Sequence, residues 1–436
     1  MLIVYYIILA INISIAFTFL QVELKRLGPA SVFWFSVLAT FLLPSVFDPL
    51  LHQVQAHEYS TSFRLDLFTL VTAQLYVLLF FMTFTLGYLL TLPRIRHRNI
   101  NNSPFIVQLK TGGSNGLYWL MGFLALSIFA VFESYRAIGF LLFTDFGFVI
   151  RRESLSSLSV FLLSYNLIIC GGVLFWLVKK KLYIYTSFVL LLYLFLYFVM
   201  GGSRQPLVIL LLPFVIYYLS VSRYRVFYSL MLVIFFNVFS RLLEFMLYLR
   251  NLPGLEARLD AMADIVNLIF NSQEKIASSE SSLRFAYYYF IQAGGSAPGF
   301  GELSYLVRTL LFWLPSRLDF FAIKPMDFEY TMFEFYMPGY QGTMHPTFFG
   351  SVFADSGWFL LPWAIFLILV YRFIIPLLAK FNGVCFFAAW GLSAYFYMMI
   401  ARGAFYGPFV ALVFGLILIY IFQLLSSVKK PRDVKK

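Results

Sequence analysis

The chain has 436 residues, 61% of them hydrophobic and only 12% charged, where a soluble domain carries about 25% charged residues. That composition excludes an ordinary water-soluble domain, and repeated apolar stretches of about 20 residues point to a polytopic helical membrane protein. The net charge of +12 raises nucleic acid as a partner, but the placement of the charges argues against it.

In chain order, Met1 to Gln21 lacks a basic leading region and is long enough to span, so it reads as a first helix rather than a cleavable signal. The pattern predicts an all-α transmembrane bundle of eleven or twelve spans. The eleven read here cover roughly 2–22, 30–51, 67–92, 117–135, 158–178, 182–200, 206–221, 226–249, 347–371, 384–401 and 408–425. Cys170 and Cys385 each lie inside an apolar run, which argues against a disulfide framework or a cysteine metal site.

Every second connection is basic: "ELKRLG", "RIRHRNINNSPFIVQLK", "KKK" at 179–181, "SRYR", "RFIIPLLAKFNG" and the tail "KKPRDVKK". These connections hold 18 of the 32 Lys and Arg and only two acids, Glu23 and Asp433. The positive-inside rule places them in the cytoplasm, with the N-terminus outside and the C-terminus inside. The basic excess is therefore mainly topogenic.

The organisation follows: spans one to eight over 1–249, a large outer loop over 250–346, spans nine to eleven over 347–425, and a basic tail over 426–436. In the loop, Leu255, Leu259, Met262, Val266 and Ile269 recur at 4-3-4-3 spacing, an amphipathic helix suited to the membrane surface or to capping the bundle. "SSESS" breaks it, and Ser281 or Ser282 is placed to cap a second helix, "LRFAYYYFIQ", ending at Gly294-Gly295. "LVRTLLFWLPSRL" is too short to span and contains Pro315, so it reads as a re-entrant or interfacial piece.

Five arginines fall at expected outer membrane edges or in the outer loop: Arg204 in "MGGSRQPL", Arg284, Arg308, Arg317, and Arg402 in "ARGAFYG". Guanidinium stays charged at any working pH and grips phosphate oxygens bidentately. Singly, each is as well explained by snorkelling or by pairing with a nearby acid. As a set, with glycine beside Arg204 and Arg402, they suit a ligand whose acidic head sits at headgroup depth, such as a lipid diphosphate.

His52 and His57 lie in a short outer loop and His97 in a basic loop, whereas His345 stands immediately before a span. An imidazole there can bond a phosphate, shuttle a proton near neutral pH, or simply cap the span. No second histidine stands at metal-ligand spacing, so no metal is expected. Asp319, Asp327, Glu329, Glu334 and Asp355 are candidates for a general base, and spacing does not choose among them. Asp355 falls inside span nine, where it is expected to face the bundle interior near an arginine. Arg241 and Glu244 lie three apart in span eight and read as an intramembrane ion pair. Tyr288, one turn from Arg284, offers an aromatic platform for a sugar.

These features resemble the Wzy-type O-antigen and capsular repeat-unit polymerases. The resemblance rests on "GGSRQP" after the sixth span, the late outer loop, "FWLPSRLDFFAIKP", "GTMHPTFFGSVFADSGWF" and "ARGAFYG". It also rests on Arg284 followed by ten residues and then Gly295, and it covers most of the chain from about residue 130 onward. Some members carry a second arginine-x10-glycine loop, and this chain shows the spacing only once.

The resemblance implies a glycosyltransferase of the GT-C type in the bacterial inner membrane, working on the periplasmic face without cofactor, metal or nucleotide sugar. Donor and acceptor would both be oligosaccharides linked to undecaprenyl diphosphate, with a flippase and a chain-length regulator as partners in lipopolysaccharide or capsule synthesis. It carries Arg204, Arg284, Arg317 and His345 over as catalytic, with Arg308, Arg402, Gly295 and Tyr288 binding substrate. An O-antigen ligase, acting on lipid A core with the same donor, is the nearest alternative. A lipid-linked oligosaccharide flippase fits less well, because few charges fall at span centres and no internal repeat is evident.

Overall fold

A computed structural model describes residues 1–51, 53–55, 62–91, 104–111, 116–139, 170–199, 205–235, 283–294, 300–314, 319, 323–326, 328–336 and 345–427. The described chain is almost entirely helical, because within lipid every backbone N–H and C=O must find its partner inside the segment. The exception is a two-stranded antiparallel ribbon, β1 (Gln53–Gln55) and β2 (Ser62–Arg64), with Gln53 opposite Arg64.

The helices are α1 (Leu2–Arg26), α2 (Ser31–Val37), α3 (Leu67–Thr91), α4 (Pro104–Thr111), α5 (Gly116–Ile138), α6 (Cys170–Lys179), α7 (Tyr183–Val199), α8 (Gln205–Val221) and α9 (Arg225–Phe235). After them come α10 (Leu283–Ala293), α11 (Ser304–Leu310), α12 (Phe328–Tyr336), α13 (Thr347–Ser356), α14 (Leu361–Leu378), α15 (Gly383–Ala401) and α16 (Tyr406–Ser427). The α2 helix runs on through a π turn, Leu38–Leu42, and a 3-10 segment, Pro44–Leu50. Among the described residues six candidate membrane-spanning helices stand out: 2–26, 31–50, 67–91, 361–378, 383–401 and 406–425. The amphipathic stripe from Leu255 to Ile269 and the Arg241–Glu244 pair lie outside the described residues.

The α15 helix is the axis of the bundle: nearly all of its residues are buried, whereas α1 at the rim is mostly exposed. The α2 segment packs on α15, α1 covers α2 and α3, and α14 lies along α3. Trp34 of α2 stacks on Phe19 of α1 at 4.7 Å, and Trp390 of α15 donates to the Leu27 carbonyl at 2.9 Å. On the other flank Gly172 of α6 touches the α15 backbone so closely that a Cβ would lie 2.0 Å from the Phe387 oxygen.

At the last turn of α3, Arg26 from the end of α1 bonds Tyr88 (2.8 Å) and Arg372 bonds Thr91 (3.1 Å), while Gln108 of α4 meets Asn382 (3.2 Å). Tyr5, Ser45, Asp48 and Arg284 gather at the opposite end. Glu23, read from sequence as a loop acid, is instead fully buried in α1. Its carboxylate fills the space left by the absent side chain of Gly28 and lies 3.7 Å from Arg26.

Two loop expectations meet different outcomes. The second loop helix runs Leu283–Ala293 and stops at Gly294, whose φ of +55° glycine adopts without a Cβ penalty, as the sequence predicts. The ninth span does not run unbroken from 347. Gly357 at φ +58° ends α13 after ten residues, and α14 restarts with Pro362 in its first turn, so the crossing segment is 361–378.

Candidate functional site

The site is assembled around the turn between α15 and α16, the "ARGAFYG" segment. The first residue of α13 clasps this turn: the Thr347 N–H donates to the Arg402 carbonyl (3.0 Å), and Ser351 Oγ donates to the Gly403 carbonyl (2.8 Å). Gly403 has φ +100°, and a Cβ there would lie 2.5 Å from the Thr347 oxygen, so only glycine fits the clasp. The Arg402 carbonyl is thereby tied to Thr347, two positions after His345 in the sequence.

Asp355, near the far end of α13, sets the next element. Its carboxylate accepts the backbone N–H groups of Tyr305 (2.6 Å) and Leu306 (3.1 Å) and the Trp363 indole N–H (2.9 Å). It therefore caps α11 from another helix, replacing the side-chain cap that Leu303 lacks. Asp355 faces the interior as expected, but its partners are N–H groups rather than an arginine. Burial pushes its carboxyl up to about 6, while the hydrogen bonds from Tyr305, Trp363 and Leu306 pull the other way.

With its N–H fixed, fully buried Tyr305 stacks on Phe328 (4.8 Å, 16°) and meets Phe405 edge-on (5.4 Å). Its hydroxyl accepts the Phe405 N–H (2.7 Å) and donates to Glu329 Oε1. The other Glu329 oxygen, Oε2, lies 3.6 Å from His345 Nδ1, within ion-pair range and longer than a hydrogen bond. The Phe405 N–H belongs to the turn that bears Arg402, so the Tyr305 hydroxyl joins Glu329, and His345 beside it, to that turn.

A second cationic group adjoins it. Arg308 lies 4.4 Å from the Tyr406 ring centroid and donates to the Pro325 carbonyl (2.5 Å). Lys324 donates to the Tyr406 hydroxyl (2.6 Å) and the Leu314 carbonyl (2.8 Å). Both cations flank the first residue of α16, four positions after Arg402.

The five candidate bases now separate. Asp319 spends both oxygens on the N–H groups of Ile323 (2.9 Å) and Lys324 (2.7 Å), folding its own loop. Asp355 serves as the cap, Glu334 is exposed on α12, and Asp327 lies outside the described residues. Glu329 is the acid that faces His345.

Arg284 and Tyr288 require correction. Both are buried on α10, where Arg284 grips Asp48 with Nε (3.0 Å) and Nη2 (2.7 Å), and Tyr288 donates to the same carboxylate (2.7 Å). Tyr5 donates to the Ser45 carbonyl alongside (2.6 Å). Tyr288 has no exposed face to offer a sugar, and the guanidinium expected to hold a diphosphate holds a carboxylate instead. Arg204, Arg317 and Gly295 lie outside the described residues.

The sequence reading missed Asp48, Tyr305, Lys324 and Tyr406. Asp48 had a signal, an acid at the end of an apolar run in a chain whose long loop is rich in arginine. Tyr305 had none, one aromatic among the 21% of the chain that is Phe, Trp or Tyr. No protein-family model, curated protein or solved structure matches this chain.

Proposed function

We propose that the protein is an inner-membrane, metal-independent glycosyltransferase of the GT-C type that joins undecaprenyl-diphosphate-linked oligosaccharide repeat units on the periplasmic face. The reading rests on the Wzy-type motifs of the sequence. The observation that carries it further is Glu329, held by Tyr305 and facing His345 beside the turn that bears Arg402. A hydroxyl at the non-reducing end of the acceptor attacks the anomeric carbon of the donor. Its proton passes to Glu329, and the bond from that carbon to the diphosphate oxygen breaks. The diphosphate leaves with both electrons of that bond, and fixed cations stabilise the charge that develops.

Arg402 and His345 are the described groups assigned to the reacting end, with Arg308 and Lys324 binding along the headgroup. Arg204 and Arg317 complete the proposed anion clamp. Arg284 is assigned to holding α10 in place, given its pairing with Asp48. A flippase that delivers the lipid-linked unit and a chain-length regulator are the expected partners.

Deletion and complementation in the native host, read on a lipopolysaccharide gel, test the reading. A polymerase deletion leaves core bearing a single repeat unit, and the intact gene restores the ladder. Bare core with polymer accumulating on undecaprenyl diphosphate identifies a ligase instead. A normal ladder after deletion rejects both.

A further inference from the structure

Tyr305 touches three separate pieces of the site through one side chain. Its ring lies flat on Phe328, the residue before Glu329, and its hydroxyl bonds both Glu329 and the backbone N–H of Phe405. The Phe405 N–H belongs to the same turn as Arg402, and the Tyr305 N–H is itself pinned by Asp355. An apolar ring would satisfy the packing alone. The hydroxyl adds a defined order of donors, with N–H of Phe405 to the phenol oxygen and the phenol O–H to the carboxylate. Its single proton is committed to Glu329 Oε1, and the other oxygen, Oε2, is the one that faces His345.

We infer that Tyr305 is a positioning residue of the site: its hydroxyl fixes the orientation of the Glu329 carboxylate and ties it to the turn carrying Arg402. The inference rests on the polymerase reading of the site. Tyr305 is fully buried and does not touch substrate, so it acts through Glu329. A carboxylate free to rotate spends less time in the reactive geometry, and a misplacement of about 1 Å costs up to roughly 100-fold in rate.

The test uses the purified full-length protein and lipid-linked repeat units extracted from the deletion strain. Y305F keeps the ring and its stack on Phe328. It is expected to lower kcat roughly 10- to 100-fold while KM and melting temperature stay near wild type. Y305F/E329Q is expected to lose no more than E329Q alone, because a residue acting through Glu329 has nothing left to position. Wild-type kcat in Y305F, or losses that multiply in the double variant, overturns the inference while E329Q inactivity leaves the polymerase reading standing. An inactive wild-type protein overturns the polymerase reading and the inference together. If Y305F does not fold, 3-fluorotyrosine at 305 retains ring and hydroxyl while strengthening the donor. A changed kcat at unchanged melting temperature then supports the inference, and an unchanged kcat overturns it.

Discussion

Arg284 and Asp48, 236 positions apart, meet as a bidentate pair with Nη2 2.7 Å from Oδ1, both side chains buried. The pair fastens α10 to the end of the second candidate membrane segment. Removing one partner strands the other charge, so D48A is expected to cost about 3–5 kcal/mol. D48A/R284A should recover part of that loss, because no lone charge remains buried. Melting temperatures of the four proteins in detergent check this, and a D48A protein as stable as wild type would show that the pair contributes nothing.

Glu329 and Glu334 lie five residues apart on α12, one facing His345 and the other exposed. E329Q is expected to reduce polymer formation by roughly 100- to 10,000-fold, the range for loss of a general base. E334Q should leave the ladder unchanged at equal protein level. The reverse pattern would reassign the base.

G403A forces a side chain into a φ of +100° and toward the Thr347 carbonyl at 2.5 Å. The strain should cost about 1–3 kcal/mol and shift Arg402, shortening or abolishing the ladder. A Cβ at Gly407, in the first turn of α16, meets nothing within 4 Å, so G407A is the matched control and should be silent. Equal ladders from both variants would remove the argument for a clasped turn.

The Asp355 carboxyl, raised from 3.8 to about 6, makes a pH prediction with a definite sign. The folded state holds this proton over a range where the unfolded chain has released it. The group therefore favours folding below about pH 4, and that advantage is lost as pH rises through about 6. Against D355N, which does not titrate, the wild-type stability should fall by on the order of 3 kcal/mol across that window. Denaturation at several pH values measures the difference, and a rise would mean that the three N–H donors outweigh burial.

Local rules carried the sequence reading far along the chain. Apolar runs placed α1, α3, α15 and α16, and the glycine at 294 marked the end of α10. Where partners are distant, those rules fell silent. Nothing within a few residues of Arg284 announces Asp48, and nothing near Asp355 announces the α11 amides 50 positions earlier. The break after α13 escaped for another reason: "SGWFLLP" is apolar enough to read as continuous span, and hydropathy does not register a glycine with positive φ. The choice of Glu329 over its neighbours needed contacts between α11, α12 and the α15–α16 turn, none adjacent in sequence.

The helix at the centre of the bundle is also among the last to be made. The Leu27 carbonyl, which Trp390 will bond, leaves the ribosome 363 residues before its donor. At about 5–20 residues per second that is a wait of roughly twenty to seventy seconds. During that interval the early segments sit in lipid without the post around which they close. Chains stopped before α15 should therefore be open assemblies that quality-control proteases clear, and final closure of the bundle is an event of release rather than of insertion.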